Sequence, residues 1–186
     1  MINLTKNFLI YGYGISGKSV AQYLKNKNSR FKIYDDCISS SKSNNFINKN
    51  FLKKNIKKFD YFVVSPSIKI NKNHFLYPFK KKILLDLDFL SLELDNQTII
   101  GVTGTEGKST TCQHLSQTIN RKYKNIILGN FGNTILDKKN IKIFLKKIDI
   151  IIIELSSYQL DKVKLLKLDH AIITNIYSDH IKYHNT

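Results

Sequence analysis

Tryptophan is absent, and proline and glycine number only two and eight among 186 residues. So little Gly and Pro excludes a collagen-like chain or a linker. Two cysteines, Cys37 and Cys112, are too few for a disulfide framework and suggest a reducing compartment. Acid is scarce as well: 14 Asp and Glu face 30 Lys and Arg, a net charge of +16. No apolar run reaches the ~18 residues of a membrane span. The longest, Ile148 to Leu155, is interrupted by Asp149 and Glu154. The first seven residues lack the basic region and apolar segment of a signal peptide, so a cytoplasmic chain without membrane contact is expected. What is present, 42% hydrophobic and 24% charged residues, fits one ordinary packed domain or two small ones rather than a disordered chain.

The positive charge admits a nucleic-acid binder. Its distribution argues against one. Lysines fall in twos and threes along the whole chain (Lys53-Lys54, Lys80-Lys81-Lys82, Lys138-Lys139, Lys146-Lys147) and form no arm with interleaved aromatics. Compositional drift explains that spread, and an anionic small substrate fits either reading.

Short β-rich runs alternate with helix-like stretches, which predicts an α/β fold with parallel sheets. Strands are expected at Phe8–Tyr11, Phe31–Tyr34, Tyr61–Val64 and Ile83–Leu85, with a helix over Gly17–Lys27. After Asp95-Asn96-Gln97 the alternation restarts: strands at Thr98–Val102, Ile126–Leu128, Ile150–Ile153 and Ala171–Thr174, and a helix over Gly107–Asn120. Two α/β units are therefore expected, 1–94 and 95–186. The second stops abruptly at Thr186, which reads as a cut chain.

Four constellations carry chemistry. Gly12-Tyr13-Gly14-Ile15-Ser16-Gly17 is a complete G-x-G-x-x-G between a strand and a helix, with Asp35 at the end of the next strand. Glycines there permit a tight turn and close approach of a phosphate to the helix N-terminus. NAD or flavin, another nucleotide diphosphate, or a mere packing turn all remain open. Thr103-Gly104-Thr105-Glu106-Gly107-Lys108-Ser109-Thr110 also joins a strand to a helix, the place for a phosphate-cradling loop. Backbone amides and the Lys ammonium would meet phosphates, and the following hydroxyl would meet Mg²⁺. It is a variant: Val102 stands where the common pattern has its first Gly. Lys108 is expected on the loop and solvated. Glu154-Leu155-Ser156-Ser157-Tyr158-Gln159-Leu160 follows an all-apolar strand. Its carboxylate suits Mg²⁺ beside a phosphate loop, or else the segment is a Ser-capped helix start with an exposed Glu. Asn175-Ile176-Tyr177-Ser178-Asp179-His180 follows another strand, and Gly129-Asn130-Phe131-Gly132 forms a further polar turn.

Together and in this order, these motifs resemble the Mur ligase family of ATP-dependent peptidoglycan precursor synthetases. Thr103–Ser109 matches its Thr-Gly-Thr-x-Gly-Lys-Ser/Thr loop, and the motifs at 129–132, 154 and 175–180 match as well. Glu154 to Leu160 and the opening glycine loop are similar to the branch that adds D-glutamate to UDP-N-acetylmuramoyl-L-alanine. The resemblance implies a Rossmann-like UDP-substrate unit followed by the first part of a P-loop-type ATPase domain, with ATP and Mg²⁺ as cofactors and a monomeric state. Within it, Ile15, Ser16, Asp35, Ser65 and Pro66 look like contacts to the UDP part. Gly104, Thr105, Gly107, Lys108, Ser109 and Thr110 look like the ATP loop, with Lys108, Glu154 and His180 the catalytic set. Ser109, Glu154 and His180 look like metal ligands, and Asn130, Ser156, Ser157 and Gln159 like substrate-side contacts. Glu106 and Ser67 depart from the family's usual Asn and Gly. The family also continues beyond this length, so the 186 residues alone are not expected to turn over. Two rival readings are a basic, non-catalytic nucleotide- or nucleic-acid-binding module and an NAD-dependent oxidoreductase. The latter leaves the second phosphate loop without a role.

Overall fold

The computed structural model describes residues 2–38, 44–129, 134, 136–179 and 183. Two four-stranded, all-parallel sheets organise them. The first contains β1 (Asn7–Tyr11), β2 (Arg30–Tyr34), β3 (Tyr61–Val64) and β4 (Ile83–Leu84) in the order β2-β1-β3-β4. The second contains β5 (Thr98–Thr103), β6 (Asn125–Gly129), β7 (Ile150–Glu154) and β8 (His170–Ile173) in the order β6-β7-β5-β8. β-branched and aromatic residues fill these strands, and β1 and β7 are buried at four of five positions, as expected for sheets covered on both faces.

Parallel pairing requires crossovers. Helix α1 (Ile15–Asn26) joins β1 to β2, packing Val20, Ala21, Tyr23 and Leu24 inward. The region before β3, unclear from its Ser, Asn and Lys content, contains α2 (Lys49–Asn55), whose Asn48 side chain caps Phe51 N. α3 (Asp86–Leu90) follows β4, and α4 (Lys108–Ile119) follows β5. Two further short helices, α5 (Ile141–Leu145) and α6 (Ser157–Leu160), flank β7. Four of these helices, α2, α3, α5 and α6, run seven residues or fewer, too short to display a helical period in sequence.

One apolar cluster runs through both sheets, joining Phe8, Val63, Phe89 and Leu90 of the first to Ile99, Leu128, Ile151 and Leu155 of the second. Beyond α6 the chain returns to the first sheet. There the Asp88 carboxylate accepts from the amides of Lys164 and Leu165 at 2.8 and 2.7 Å, and its other oxygen accepts from Leu85 N at 2.8 Å. Lys164 Nζ donates to the carbonyls of Lys80 and Ile83 at 2.7 and 2.8 Å. The two units are thus stapled by backbone and side chain as well as by the shared core.

Candidate functional site

In open parallel sheets, ligands bind beyond the C-terminal strand ends where the strand order reverses. The first sheet reverses between β1 and β3, the second between β5 and β7. These positions bring Gly12–Gly14 beside Ser65-Pro66, and the 103–108 loop beside Glu154.

In the second sheet, Glu154 ends β7 and is only 2% exposed, against the alternative of a merely exposed Glu. Ser109 Oγ donates to Glu154 Oε2 at 2.8 Å. Lys108, the first residue of α4, is half-buried rather than solvated. Its ammonium donates to the carbonyls of Gly104 (2.6 Å) and Thr105 (2.8 Å), since a desolvated charge takes the nearest oxygens. Gly104 has φ +135°, and a Cβ there would lie 2.1 Å from Thr174 Oγ1. Asn175 holds the loop from beneath: its Oδ1 accepts from the amides of Thr105 (3.1 Å) and Glu106 (3.0 Å), and its Nδ2 donates to Glu106 O (3.1 Å). The Glu106 side chain is exposed, so its charge stays in solvent. Thr110 is also exposed, on the first turn of α4. Cys112, one turn into that helix, is buried, and its thiol is pushed up to about 11 by burial and by Glu154.

Two clefts open from these strand ends. One, of about 350 Å³, lies between the units and is lined by Ile15, Ser16, Pro66, Ser67, Asp86, Leu128, Ser156, Tyr158 and Gln159, among others. The other, of about 910 Å³, lies over the phosphate-type loop and includes Gly104, Thr105, Lys108, Ser156, Ser157, Tyr158, Asn175 and Asp179. Ser156 and Tyr158 line both. Ser156 is the N-cap of α6 and forms a capping box with Gln159: Ser156 N donates to Gln159 Oε1 at 2.9 Å, and Gln159 N to Ser156 Oγ at 3.3 Å. The cap and the cleft wall are one object.

Of the sequence-predicted substrate residues, the inter-unit cleft gathers Ile15, Ser16, Pro66, Ser156 and Gln159. Ser157 faces the other cleft. Ser65 sits behind the glycine turn, its amide donating to Tyr11 O at 2.9 Å and its Oγ 2.3 Å from where a Gly12 Cβ would be. Asp35 lines neither cleft. Its two oxygens accept from Tyr13 N (2.7 Å) and Cys37 N (2.8 Å), so it ties the glycine loop to the end of β2. Asn130 and His180 lie outside the described residues.

Two residues, and the role of a third, have no signal in the sequence. Asp86 opens α3 inside the inter-unit cleft and accepts from Ser16; burial raises its carboxyl above the ordinary value. Lys162, 7% exposed, reaches from the second unit to Pro66 O at 2.7 Å. Asn175 belongs to the 175–180 motif, but the loop-holding use of its amide has no sequence signal. A lysine in a lysine-rich chain is equally silent.

The Mur ligase middle domain profile matches residues 102–186. Francisella philomiragia subsp. philomiragia has a protein named UDP-N-acetylmuramoylalanine–D-glutamate ligase that is 32% identical over 183 residues, covering 95% of this chain and 41% of that protein. The protein of the same name from Francisella tularensis subsp. novicida is 32% identical over 189 residues, 98% of this chain and 42% of that one. The chain therefore spans about two fifths of the length of the curated relatives it matches. Among solved structures, UDP-N-acetylmuramate:L-alanyl-gamma-D-glutamyl-meso-diaminopimelate ligase from Neisseria meningitidis superposes with a TM-score of 0.50 at 15% identity, over 97% of this chain and 63% of that one, a likeness of fold. With its phosphate-type loop, its paired parallel sheets and these relatives, the chain is similar to the Mur ligase family along nearly its whole length.

Proposed function

We propose that residues 1–94 hold a UDP-linked substrate and residues 95–186 hold ATP, as part of an ATP-dependent ligase that joins D-glutamate to UDP-N-acetylmuramoyl-L-alanine. The observation that carries this reading is the shared wall: two clefts, one at each sheet's reversal point, meet at Ser156 and Tyr158. Such a wall lets a group bound on one side reach a group bound on the other. The names of the relatives supply the substrates, and the reaction is that of a ligase of their full length.

The chemistry proceeds in two displacements. The substrate carboxylate oxygen attacks the γ-phosphorus of ATP, and the bond to the bridging oxygen breaks, giving an acyl phosphate and ADP. The D-glutamate amine then attacks the acyl carbon; the carbon–oxygen bond breaks, releasing phosphate and a proton and leaving an amide. Protein groups position and stabilise charge rather than react. Loop amides other than those of Thr105 and Glu106, which Asn175 holds, would meet phosphate oxygens, and Lys108 would exchange its two loop carbonyls for them. Ser109 Oγ and the Glu154 carboxylate, 2.8 Å apart, are hard oxygen donors that fit Mg²⁺, leaving positions for water and phosphate oxygens. Mg²⁺ bound there would neutralise charge on the transferring phosphoryl group. His180 is proposed as a further ligand.

Titration calorimetry on the 186-residue chain tests the reading. UDP-N-acetylmuramoyl-L-alanine and UDP should bind and NAD should not. Mg-ATP binding should weaken at least about tenfold in Lys108→Ala, which removes a charge contact to phosphate. NAD binding with no response to UDP would overturn it.

A further inference from the structure

Lys162 is a lysine that the ATP-side chemistry does not use. It follows α6, lines neither cleft, and is almost fully buried. Its ammonium donates to Pro66 O at 2.7 Å and to Tyr158 O at 3.4 Å, and bonds the Tyr183 hydroxyl. Asp161 Oδ2 lies 3.7 Å away, a long contact for a buried charge, and burial lowers the ammonium below the ordinary lysine value. The ammonium thus bonds three neutral oxygens, two of them from cleft-lining residues, and meets the Asp161 carboxylate both at 3.7 Å and through the Tyr183 hydroxyl, which donates to it at 2.9 Å. A buried ammonium without such partners is costly, so each of these bonds constrains the group that makes it. Pro66 belongs to the Ser65-Pro66-Ser67 turn, one wall of the inter-unit cleft, and Tyr158 belongs to the wall shared by both clefts. Lys164, two residues on, provides a natural contrast. It too is partly desolvated and donates to carbonyls of the first unit, but these belong to Lys80 and Ile83, which line neither cleft.

We propose that Lys162 is a positioning residue that sets the Ser65-Pro66-Ser67 turn from the ATP-binding unit, fixing the UDP-substrate side of the cleft to the wall shared with the ATP side. This rests on the substrate reading above. Lys164 staples the same two units without touching either cleft, so it separates positioning from mere adhesion.

The test uses the 186-residue chain with Lys162→Met, Lys162→Arg and Lys164→Met. Calorimetry is run with UDP-N-acetylmuramoyl-L-alanine and separately with Mg-ATP. Amide hydrogen exchange is followed at Ile68, whose N–H closes the Ser65-Pro66-Ser67 turn by donating to Ser65 O at 3.1 Å. Lys162→Met should weaken the UDP-substrate about tenfold, leave Mg-ATP within about twofold, and speed Ile68 exchange. Lys162→Arg should recover most of both losses. Lys164→Met should lower the melting temperature while leaving UDP-substrate affinity within about twofold. Equal losses in Lys162→Met and Lys164→Met, or unchanged Ile68 exchange in Lys162→Met, would overturn the proposal. Should the wild-type chain take up no UDP-substrate, the substrate reading fails, and Ile68 exchange alone then decides whether Lys162 sets the turn.

Discussion

At the residue scale, the molecule spends its scarce acid carefully. Asp88 serves three amides, Glu93 receives Tyr23 Oη and Lys27 Nζ at 2.5 and 2.7 Å, and Asp36 is gripped by Tyr11 and Tyr34, with burial and Asp36 pushing the Tyr34 hydroxyl up to about 12. Asp86 differs, because its surroundings favour the neutral acid. The folded form holds the proton to higher pH than the unfolded chain does. Its stabilising contribution is therefore complete below the unfolded value and lost as pH rises through the folded one. Asp86→Asn keeps an acceptor for Ser16 and removes the charge. Thermal melts between pH 4 and pH 7 should find the variant's advantage growing with pH, to a few degrees at neutrality. A difference that does not change with pH would show the carboxylate to be comfortably ionised in the fold. Glu154→Gln should weaken Mg-ATP about tenfold or more and leave UDP-substrate binding within about twofold, a split readable by the same calorimetry. Equal losses on both sides would place Glu154 in structural support alone.

At the element scale, the first glycine motif separates what spacing reveals from what packing decides. G-x-G-x-x-G was legible because its glycines are constraints of local geometry, and so were the strands, whose β-branched runs are long enough to stand out. Yet the motif does not say which glycine packing needs. A Cβ on Gly17 would fall 2.1 Å from Gly12 O, backbone that cannot step aside, whereas one on Gly14 meets nothing within 4 Å. Gly17→Ala should cost roughly 2 kcal/mol or more, and Gly14→Ala within about 0.5 kcal/mol, by denaturant unfolding. Comparable costs at the two sites would mean that the turn relaxes freely. Short helices were illegible for the opposite reason: the four residues of α6 hold no period, and only the spacing of Ser156 and Gln159 marks them. Losing that cap in Ser156→Ala should cost about 1 kcal/mol. Lys162, Asn175 and Asp86 were hidden because the partner across the fold that gives each its role, Pro66, Glu106 and Ser16 respectively, lies 69 or more residues away in sequence.

At the scale of the whole molecule, the two units share an apolar cluster and the Asp88 staple, so heat should unfold them in one transition. Asp88→Ala strands three amides and should cost about 3 kcal/mol; two separated transitions in the wild-type chain would deny the common core. A net charge of +16 repels itself, so the melting temperature should climb with salt from low ionic strength to ~0.15 M, where screening shortens to about 8 Å. The wall at Ser156 and Tyr158 has a consequence of another kind. A single turn of helix, held by its capping pair and by Lys162 on Tyr158 O, cannot shift to suit an occupant on one side without presenting an altered face to the other. Thermodynamic reciprocity then applies: whatever factor the first ligand imposes on the second, the second returns in full. The two clefts are accordingly one linked equilibrium, and an affinity measured for either has meaning only with the state of its neighbour specified.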